Sequence, residues 1–255
     1  MRRGCLIGVI MICLIGEIGQ AAEPSHTKFN ASDGLEVHAN LYVSHGDEAP
    51  FIVLFHQARW SRGEYREIAP KLLALGYNCM AVDQRSGGEV NEVRNLTAAP
   101  KDPTYLDALP DMEAAVHHAR EHYAKGKLVI WGSSYSAALA FVVAAEHAGQ
   151  VDGVVSFSPG EDFSRFGKSK TYIADAAKSV DAPTFISSAK TEVPKWEPIW
   201  NALAAAEKER YIPKIEGRHG SRALWAQMEG HEAVWGALTA FLRRHFPPQA
   251  TPEPA

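Results

Sequence analysis

Three serines stand within four positions in the stretch WGSSYSAAL, residues 131–139, between an apolar run and an alanine-rich one. A nucleophilic serine between a strand and a helix must sit on a sharp turn, and the residues two positions away must be small because their backbones approach closely. Ser134 meets this demand, with Gly132 before it and Ser136 after it. Ser133 would instead have bulky aromatic residues at both positions, and Ser136 begins inside the helical pattern. Ser134 is therefore the predicted nucleophile.

Alternating strands and helices are predicted to position this serine. Short apolar runs occupy residues 51–56, 77–83, 127–132, 152–158, 183–189 and 210–217. Helical patterns occupy residues 64–75, 105–123, 137–148, 172–179, 196–207 and 232–245. Nearly continuous apolar runs are typical of strands covered on both faces. The alternation predicts a largely parallel sheet sandwiched by helices, entered through two antiparallel strands near residues 26–30 and 35–43.

The G-x-S-x-S stretch around Ser134, followed by an almost wholly apolar helix, resembles the nucleophile motif of the α/β-hydrolase superfamily. It is most similar to the small dienelactone-hydrolase-like and esterase-like members without large caps, over nearly all of residues 25–246. The resemblance implies a mostly parallel central sheet of about eight strands flanked by helices. The family usually has glycine where this chain has Ser136, which we interpret as a packing residue. Only about 24 residues separate the strands at 152–158 and 183–189, too few for a separate cap domain.

A base must activate the weakly nucleophilic serine hydroxyl. His219 follows the last predicted strand and precedes a helical segment, at the same predicted sheet edge as Ser134. In the family that the chain resembles, the catalytic histidine occupies a loop there and is often followed by glycine, as it is here. His219 is therefore the predicted base, and His231 is the second candidate.

An acid must orient the base and stabilise its charged form. The family carries a carboxylate several residues after strand seven, followed by an apolar residue and proline. Glu192 occupies that position, and Glu161 and Asp162 after the preceding strand are the alternatives. The order Ser134, Glu192, His219 is the nucleophile, acid, histidine order of the family.

Backbone N–H groups are the expected donors to the oxyanion of a tetrahedral intermediate. Tyr135, directly after the predicted nucleophile, is one. The second comes from the loop HQARWSRGEY, in which the family often has His-Gly followed by the donor. Here His56 is followed by Gln57 and Ala58, so both remain candidates, with the register favouring Ala58. His56 itself is predicted to tie down the loop.

Nearby aromatic and basic residues are candidates for contact with substrate. Trp60 and Tyr135, with Trp196 as a further candidate, are placed to form an aromatic wall. Arg59 is predicted to bind substrate, and with Arg62 it is a candidate contact for an anionic group.

Two further clusters are assigned no chemistry. Asp83 and Arg85, in a stretch that resembles the family's D-x-R-G-x-G, are interpreted as loop braces. His118 and His122 flank Glu121 on a helix predicted to face solvent, but they lack the H-E-x-x-H pattern of a zinc site. No metal and no cofactor is predicted.

The chain divides into three predicted segments. Residues 1–22 have two arginines, a short apolar run and small residues near the end, which predicts a cleavable secretory signal. Residues 23–246 form the α/β-hydrolase domain, and the proline-rich tail 247–255 is predicted to be disordered. The protein is expected to be secreted or periplasmic, without stable membrane insertion after cleavage. Only Cys79 then remains, as a predicted core residue.

These observations together predict a serine hydrolase of carboxylesterase type. Its substrate would be a carboxylic ester or related acyl compound, either a small molecule or polymer-linked, cleaved through an acyl-enzyme. A peptidase or acyltransferase with the same triad is the first alternative, and a non-catalytic binding module on the same fold is the second. A formal net charge of −4 argues against nucleic-acid binding, and the oligomeric state is left open.

Overall fold

Short strands and longer helices alternate along the chain. The computed structural model describes residues 23–97, 99 and 102–248. The strands are β1 Ser25–Asn30, β2 Glu36–Tyr42, β3 Phe51–Phe55, β4 Asn78–Asp83, β5 Glu89–Val90, β6 Val93–Arg94, β7 Leu128–Ser133, β8 Gly153–Phe157, β9 Thr184–Ser187 and β10 Lys208–Tyr211. The helices are α1 Ile68–Ala74, α2 Leu109–His122, α3 Tyr135–Glu146, α4 Tyr172–Ala177, α5 Val193–Ala202 and α6 His231–His245.

Eight strands form one sheet in the order β1-β2-β4-β3-β7-β8-β9-β10. β2 is antiparallel to both of its neighbours, β1 and β4. All other neighbours in the sheet are parallel. β5 and β6 form a separate antiparallel hairpin. The predicted fold class, a mostly parallel sheet flanked by helices, is confirmed.

The central strands are buried on both faces, which explains their nearly continuous apolar sequences. Every residue of β3, β4, β7 and β8 is buried. Helices α2 to α5 pack against one face of the sheet, and α1 and α6 pack against the other. Because parallel strands end at the same edge, the loops after β3, β7, β8 and β9 meet there.

The last strand is shorter and earlier than predicted. It spans Lys208–Tyr211 rather than 210–217. Pro213 has no N–H to donate to a strand ladder, and Gly217 turns the chain with a φ of 78°. The segment after β10 is therefore a loop, and His219 lies in it.

Two helices begin earlier than predicted. α3 begins at Tyr135 rather than residue 137, so the helix starts directly after Ser134. α5 begins at Val193 rather than residue 196, with a proline in its first turn, and ends at Ala202 rather than 207. Glu192 therefore lies where the loop after β9 enters this helix.

The predicted loop braces behave as expected. The Asp83 carboxylate accepts the Arg62 backbone N–H at 2.7 Å and pairs with the Arg62 guanidinium. Arg85 forms ion pairs with Asp33 and with buried Asp111. These contacts hold the loop after β4 against its neighbours.

The helix that carries the histidine pair does not turn both rings to solvent. His118 is part-buried, with Nε2 3.2 Å from the Thr27 hydroxyl oxygen and its ring stacked on Phe29 at 4.7 Å. The solvent-facing prediction was wrong for this ring because α2 packs against β1.

The remaining predictions concern Cys79 and the two termini. Cys79 is buried, and burial raises the pKa of its thiol, which confirms a core position. The predicted signal, residues 1–22, and residues 249–255 of the predicted tail lie outside the described residues. Within the described part of the chain, no helix has the length and apolar character needed to cross a bilayer.

Candidate active site

Ser134 occupies a strained turn between β7 and α3. Its φ of 61° and ψ of −120° lie in a region that residues other than glycine rarely adopt. A Cβ at Gly132 would lie 2.3 Å from the Ser136 carbonyl oxygen, so glycine is required two residues before the apex. The chain therefore bends as a nucleophile elbow does and exposes the Ser134 hydroxyl at the carboxyl edge of the sheet.

A chain of hydrogen bonds connects the Ser134 hydroxyl to His219 and then to Glu192. His219 Nε2 lies 2.8 Å from Ser134 Oγ. On the other side of the ring, Nδ1 contacts Glu192 Oε1. The structure thus brings together the three side chains that were predicted as nucleophile, base and acid, although they lie up to 85 residues apart in sequence.

The Glu192 carboxylate is held by more than the histidine. Its Oε2 accepts the Ser158 hydroxyl at 2.7 Å and the Ala189 backbone N–H at 3.1 Å. Ser158 Oγ also accepts the Gly220 N–H at 2.9 Å, which links the acid to the histidine loop. Burial acts to raise the pKa of Glu192, but the hydrogen bonds from His219 and Ser158 lower it overall. The carboxylate is therefore ionised at neutral pH.

The alternative acids serve other purposes. Glu161 accepts the backbone N–H groups of Ile173 and Ala174 at 3.0 and 2.7 Å, so it caps the first turn of α4. Asp162 is exposed at the cavity. Neither carboxylate contacts the imidazole of His219, whose hydrogen-bonded acid among the described residues is Glu192.

The loop after β3 distinguishes the two oxyanion candidates. The Gln57 backbone N–H donates to Glu64 Oε2 at 2.8 Å, so it is not available to a substrate. The prediction that kept Gln57 as a donor was wrong for this reason. The N–H groups of Ala58 and Tyr135 donate to no acceptor in the described part of the chain. Ala58 and Tyr135 thus remain the candidate oxyanion donors.

His56 orients the peptide that carries the Ala58 N–H. Its ring is fully buried, and burial lowers the pKa of the imidazole. The neutral ring accepts the Gln84 N–H at Nε2 and donates from Nδ1 to the Gln57 carbonyl at 2.8 Å. Because the C=O and N–H of a trans peptide point in opposite directions, this bond turns the Ala58 N–H away from His56. The predicted structural role of His56 is confirmed.

A cavity of about 390 Å³ opens onto the Ser134 hydroxyl. Tyr135 lines it as predicted, together with Tyr105, which stacks on Tyr135 at 4.8 Å, and Phe163. Lys195 and Arg165 add positive charge to the walls. Tyr105 and Phe163 were not identified from the sequence because Tyr105 was assigned to the start of a predicted helix and Phe163 lies in a loop without periodicity.

The other predicted substrate contacts lie elsewhere. Trp60 stacks on Trp225 at 5.3 Å and does not line the cavity. Trp196 is buried in the core, where its indole N–H donates to Ser188 at 2.8 Å. Arg59 is exposed and does not line the cavity. The prediction for Trp196 was wrong because packing turns its side chain into the core. The substrate contacts of Trp60 and Arg59 stay predictions.

Comparison with known proteins identifies the family. A family model described as "Serine aminopeptidase, S33" matches residues 46–193. The chain belongs to this family of α/β hydrolases. No curated protein sequence matches the hydrolase significantly.

Solved structures share the fold of this hydrolase. An esterase from Pyrococcus furiosus is 17% identical with a TM-score of 0.70, over 88% of this chain and 93% of its own. A dienelactone hydrolase from Anabaena variabilis is also 17% identical, with a TM-score of 0.65, over 88% of this chain and all (100%) of its own. A monoglyceride lipase from Saccharomyces cerevisiae is 13% identical with a TM-score of 0.63, over 89% and 96% of the two chains.

Ser136, at the position where the family motif usually has glycine, does more than fill space. Its hydroxyl oxygen accepts the Ser133 N–H at 2.9 Å. It also lies 2.9 Å from the Phe55 carbonyl oxygen and 3.0 Å from that of His56, either of which can accept its proton. Ser136 therefore fastens the start of α3 to the end of β3, next to the oxyanion loop.

We expect Ser136→Ala to lower the free energy of unfolding by about 1–3 kcal/mol, because it leaves the buried Ser133 N–H without its acceptor. Ser136→Gly should lower it by roughly a further 0.5–1 kcal/mol, since glycine is less favourable than alanine in a helix. Urea unfolding followed by circular dichroism measures both differences. An alanine variant as stable as the parent would show that this hydroxyl does not hold the elbow.

Proposed function

We propose that this protein is a serine hydrolase that cleaves carboxylic esters or related acyl compounds through a covalent acyl-enzyme on Ser134. The observation that carries the proposal is the continuous hydrogen-bonded chain from Glu192 through His219 to the Ser134 hydroxyl, on a positive-φ elbow that opens into a cavity. A non-catalytic binding module has no need for a strained backbone at this serine.

The geometry supports a two-step mechanism. Ser134 Oγ attacks the substrate carbonyl carbon while its proton moves to His219 Nε2, and Glu192 stabilises the imidazolium that forms. The backbone N–H groups of Ala58 and Tyr135 bind the negative charge that develops on the carbonyl oxygen. The C–O bond of the ester breaks as His219 returns the proton to the leaving alcohol. Water then attacks the acyl-enzyme by the same route and releases the acid.

A peptidase with the same triad is the second candidate. The description of the matching family, a serine aminopeptidase, favours it. The exposed Asp162 carboxylate at the cavity is the kind of group that binds the free ammonium of a peptide's first residue. The positive charges of Lys195 and Arg165, which line the same cavity as Asp162, argue against a dedicated ammonium site.

Paired chromogenic substrates distinguish these two functions. We expect kcat/KM for p-nitrophenyl butyrate to exceed that for alanine p-nitroanilide by roughly 100-fold or more, because the site lacks a dedicated ammonium pocket. Spectrophotometric assays with purified protein measure both values, and Ser134→Ala is the control for background hydrolysis. Preferential cleavage of the anilide would replace the esterase assignment with an aminopeptidase.

Substrate size and location complete the proposal. Within the residues that the structure describes, the cavity is open to solvent and no cap domain covers it, which is compatible with esters of small molecules and with esters linked to a polymer. The composition of residues 1–22 supports a secreted or periplasmic location.

A further inference from the structure

A buried carboxyl group outside the triad joins the loops of the site. Glu64 lies in the 3-10 helix Arg62–Tyr65, after the oxyanion loop, and is fully buried. Its Oε2 accepts the Gln57 backbone N–H at 2.8 Å, and its Oε1 accepts the Ser133 hydroxyl at 2.6 Å. The Gln57 side-chain amide lies 3.4 Å from the same Oε1. Glu64 thus connects the oxyanion loop to the residue directly before the nucleophile.

The Ser133 hydroxyl extends this connection to the histidine loop. Ser133 Oγ accepts the Ser221 backbone N–H at 2.9 Å, so its own proton is directed to Glu64. Gly220, directly after His219, packs so closely that a Cβ there would lie 2.6 Å from Ser133 Oγ. Three loops that must stay in register for catalysis therefore meet at one carboxyl group.

We propose that Glu64 is a positioning residue whose ionised carboxylate, acting through Ser133 and Gln57, holds the oxyanion loop and the histidine loop in register with Ser134. The inference rests on the proposed hydrolase function. Glu64 does not contact the reacting atoms in this role.

The ionised form fits these partners best because the Gln57 N–H can only donate and the Ser133 hydroxyl, which accepts the Ser221 N–H, directs its own proton to the carboxylate. A proton on Oε2 would face the Gln57 N–H, which cannot accept it. A proton on Oε1 could be donated to Ser133 Oγ, but the Ser133 proton would then lose its acceptor. Protonation therefore either breaks the connection to Gln57 or reverses the one to Ser133 and leaves the hydroxyl proton without Glu64 as its acceptor. We expect the loops to lose their alignment when Glu64 takes up a proton.

The pKa of the Glu64 carboxyl group lies near neutrality. Burial raises the pKa of Glu64 to about 7, against the lowering effect of the hydrogen bonds from Ser133 and Gln57. The active, ionised form is therefore present above neutrality and is lost as the pH falls through about 7.

Several titratable or charged groups surround Glu64. His219 in the histidine loop favours the ionised form. The other groups are Tyr65 on the same turn, Tyr135 on α3, and the ion pair of Asp83 with Arg62 beside the turn. Tyr65 and Tyr135 have pKa values raised by burial and stay neutral in this range. Among these groups, Glu64 is therefore the one expected to take up a proton as the pH falls through about 7.

The pH dependence of kcat/KM tests this inference in the parent protein. We expect the acid limb for p-nitrophenyl butyrate to fall with the uptake of two protons, one by the catalytic triad and one by Glu64. In Glu64→Gln, a neutral amide permanently imitates the protonated state. The kcat of this variant should be about 10- to 100-fold lower than that of the parent, and its KM should stay within roughly twofold of the parent value. The acid limb of the variant should show the uptake of only one proton.

Three further variants separate positioning from general destabilisation. Ser133→Ala cuts the link to the histidine loop while keeping Glu64, and should lose about tenfold in kcat. Because both residues act through one network, Glu64→Gln combined with Ser133→Ala should lose less than the product of the single losses. Asp83→Asn, which alters another buried carboxylate that accepts backbone N–H groups, should retain the two-proton limb.

The results that would contradict the role of Glu64 differ from those that would contradict the proposed hydrolase function. A parent protein that hydrolyses esters with a one-proton acid limb would overturn the inference alone, as would multiplicative losses in the double variant. If the Glu64→Gln protein fails to fold, the acid limb of the parent protein and the kcat of Ser133→Ala decide the inference. A parent protein without ester hydrolysis would overturn the hydrolase function and this inference together.

Discussion

Replacement of Ser134 by alanine is expected to reduce kcat for ester hydrolysis by at least about 10⁴-fold. The hydroxyl is the atom group that becomes acylated, and no other group in the site can take over that covalent bond. The backbone at residue 134 already has a positive φ, which alanine tolerates no worse than serine, so the fold should be retained. Stopped assays at high enzyme concentration, with circular dichroism of the variant, measure both effects.

The neighbouring serines are matched controls for this prediction. Ser133 and Ser136 lie within two residues of Ser134, but their hydroxyls are buried and committed to Glu64 and to backbone groups. Ser133→Ala and Ser136→Ala should therefore retain far more activity than Ser134→Ala. If activity survives in Ser134→Ala but disappears in Ser133→Ala or Ser136→Ala, Ser134 is not the nucleophile.

Replacement of Glu192 by glutamine is expected to reduce kcat by about 10³- to 10⁴-fold. The amide cannot stabilise the imidazolium, and its NH₂ group can turn the ring of His219 into the tautomer that does not accept the Ser134 proton. The stability of the protein should change less than its activity, because the side chain keeps one oxygen for Ser158. Steady-state kinetics with p-nitrophenyl butyrate measure the loss.

Glu161→Gln is the comparison that decides between the two candidate acids. Its carboxylate caps α4 and does not contact His219, so kcat should stay within roughly tenfold of the parent value. A large loss in Glu161→Gln together with a small loss in Glu192→Gln would reverse the assignment. Glu197→Gln, an exposed change on α5, controls for effects of the helix surface.

The sequence predicts the three side chains that meet in the candidate site because a local rule and a family resemblance locate them. The apex at Ser134 follows from the small residues that a sharp turn requires. Glu192 and His219 follow from the family's pattern, which puts the acid and the histidine in loops after strands whose carboxyl ends share one edge of a parallel sheet. Errors in the boundaries of β10 and α5 leave this result unchanged, because a loop position at that edge tolerates shifts of several residues.

The oxyanion donor and the supporting contacts could not be predicted in the same way. Whether Gln57 or Ala58 is the free donor depends on Glu64, whose partners include Ser133, 69 residues away along the chain. Ser158 supports Glu192 and Gly220 from a third loop, at separations of 34 and 62 residues. Such contacts depend on how the loops pack and leave no periodic signal in the sequence.

Covalent labelling with a fluorophosphonate tests the central claim most directly, because this probe reacts with a serine that an adjacent base activates. Peptide mass spectrometry of the labelled protein locates the adduct. We expect a single adduct on Ser134 in the parent protein, strongly reduced labelling in His219→Ala, and none in Ser134→Ala. An unlabelled parent protein, or a Ser134→Ala protein that is labelled as fast as the parent, would contradict the assignment of Ser134 as the activated nucleophile.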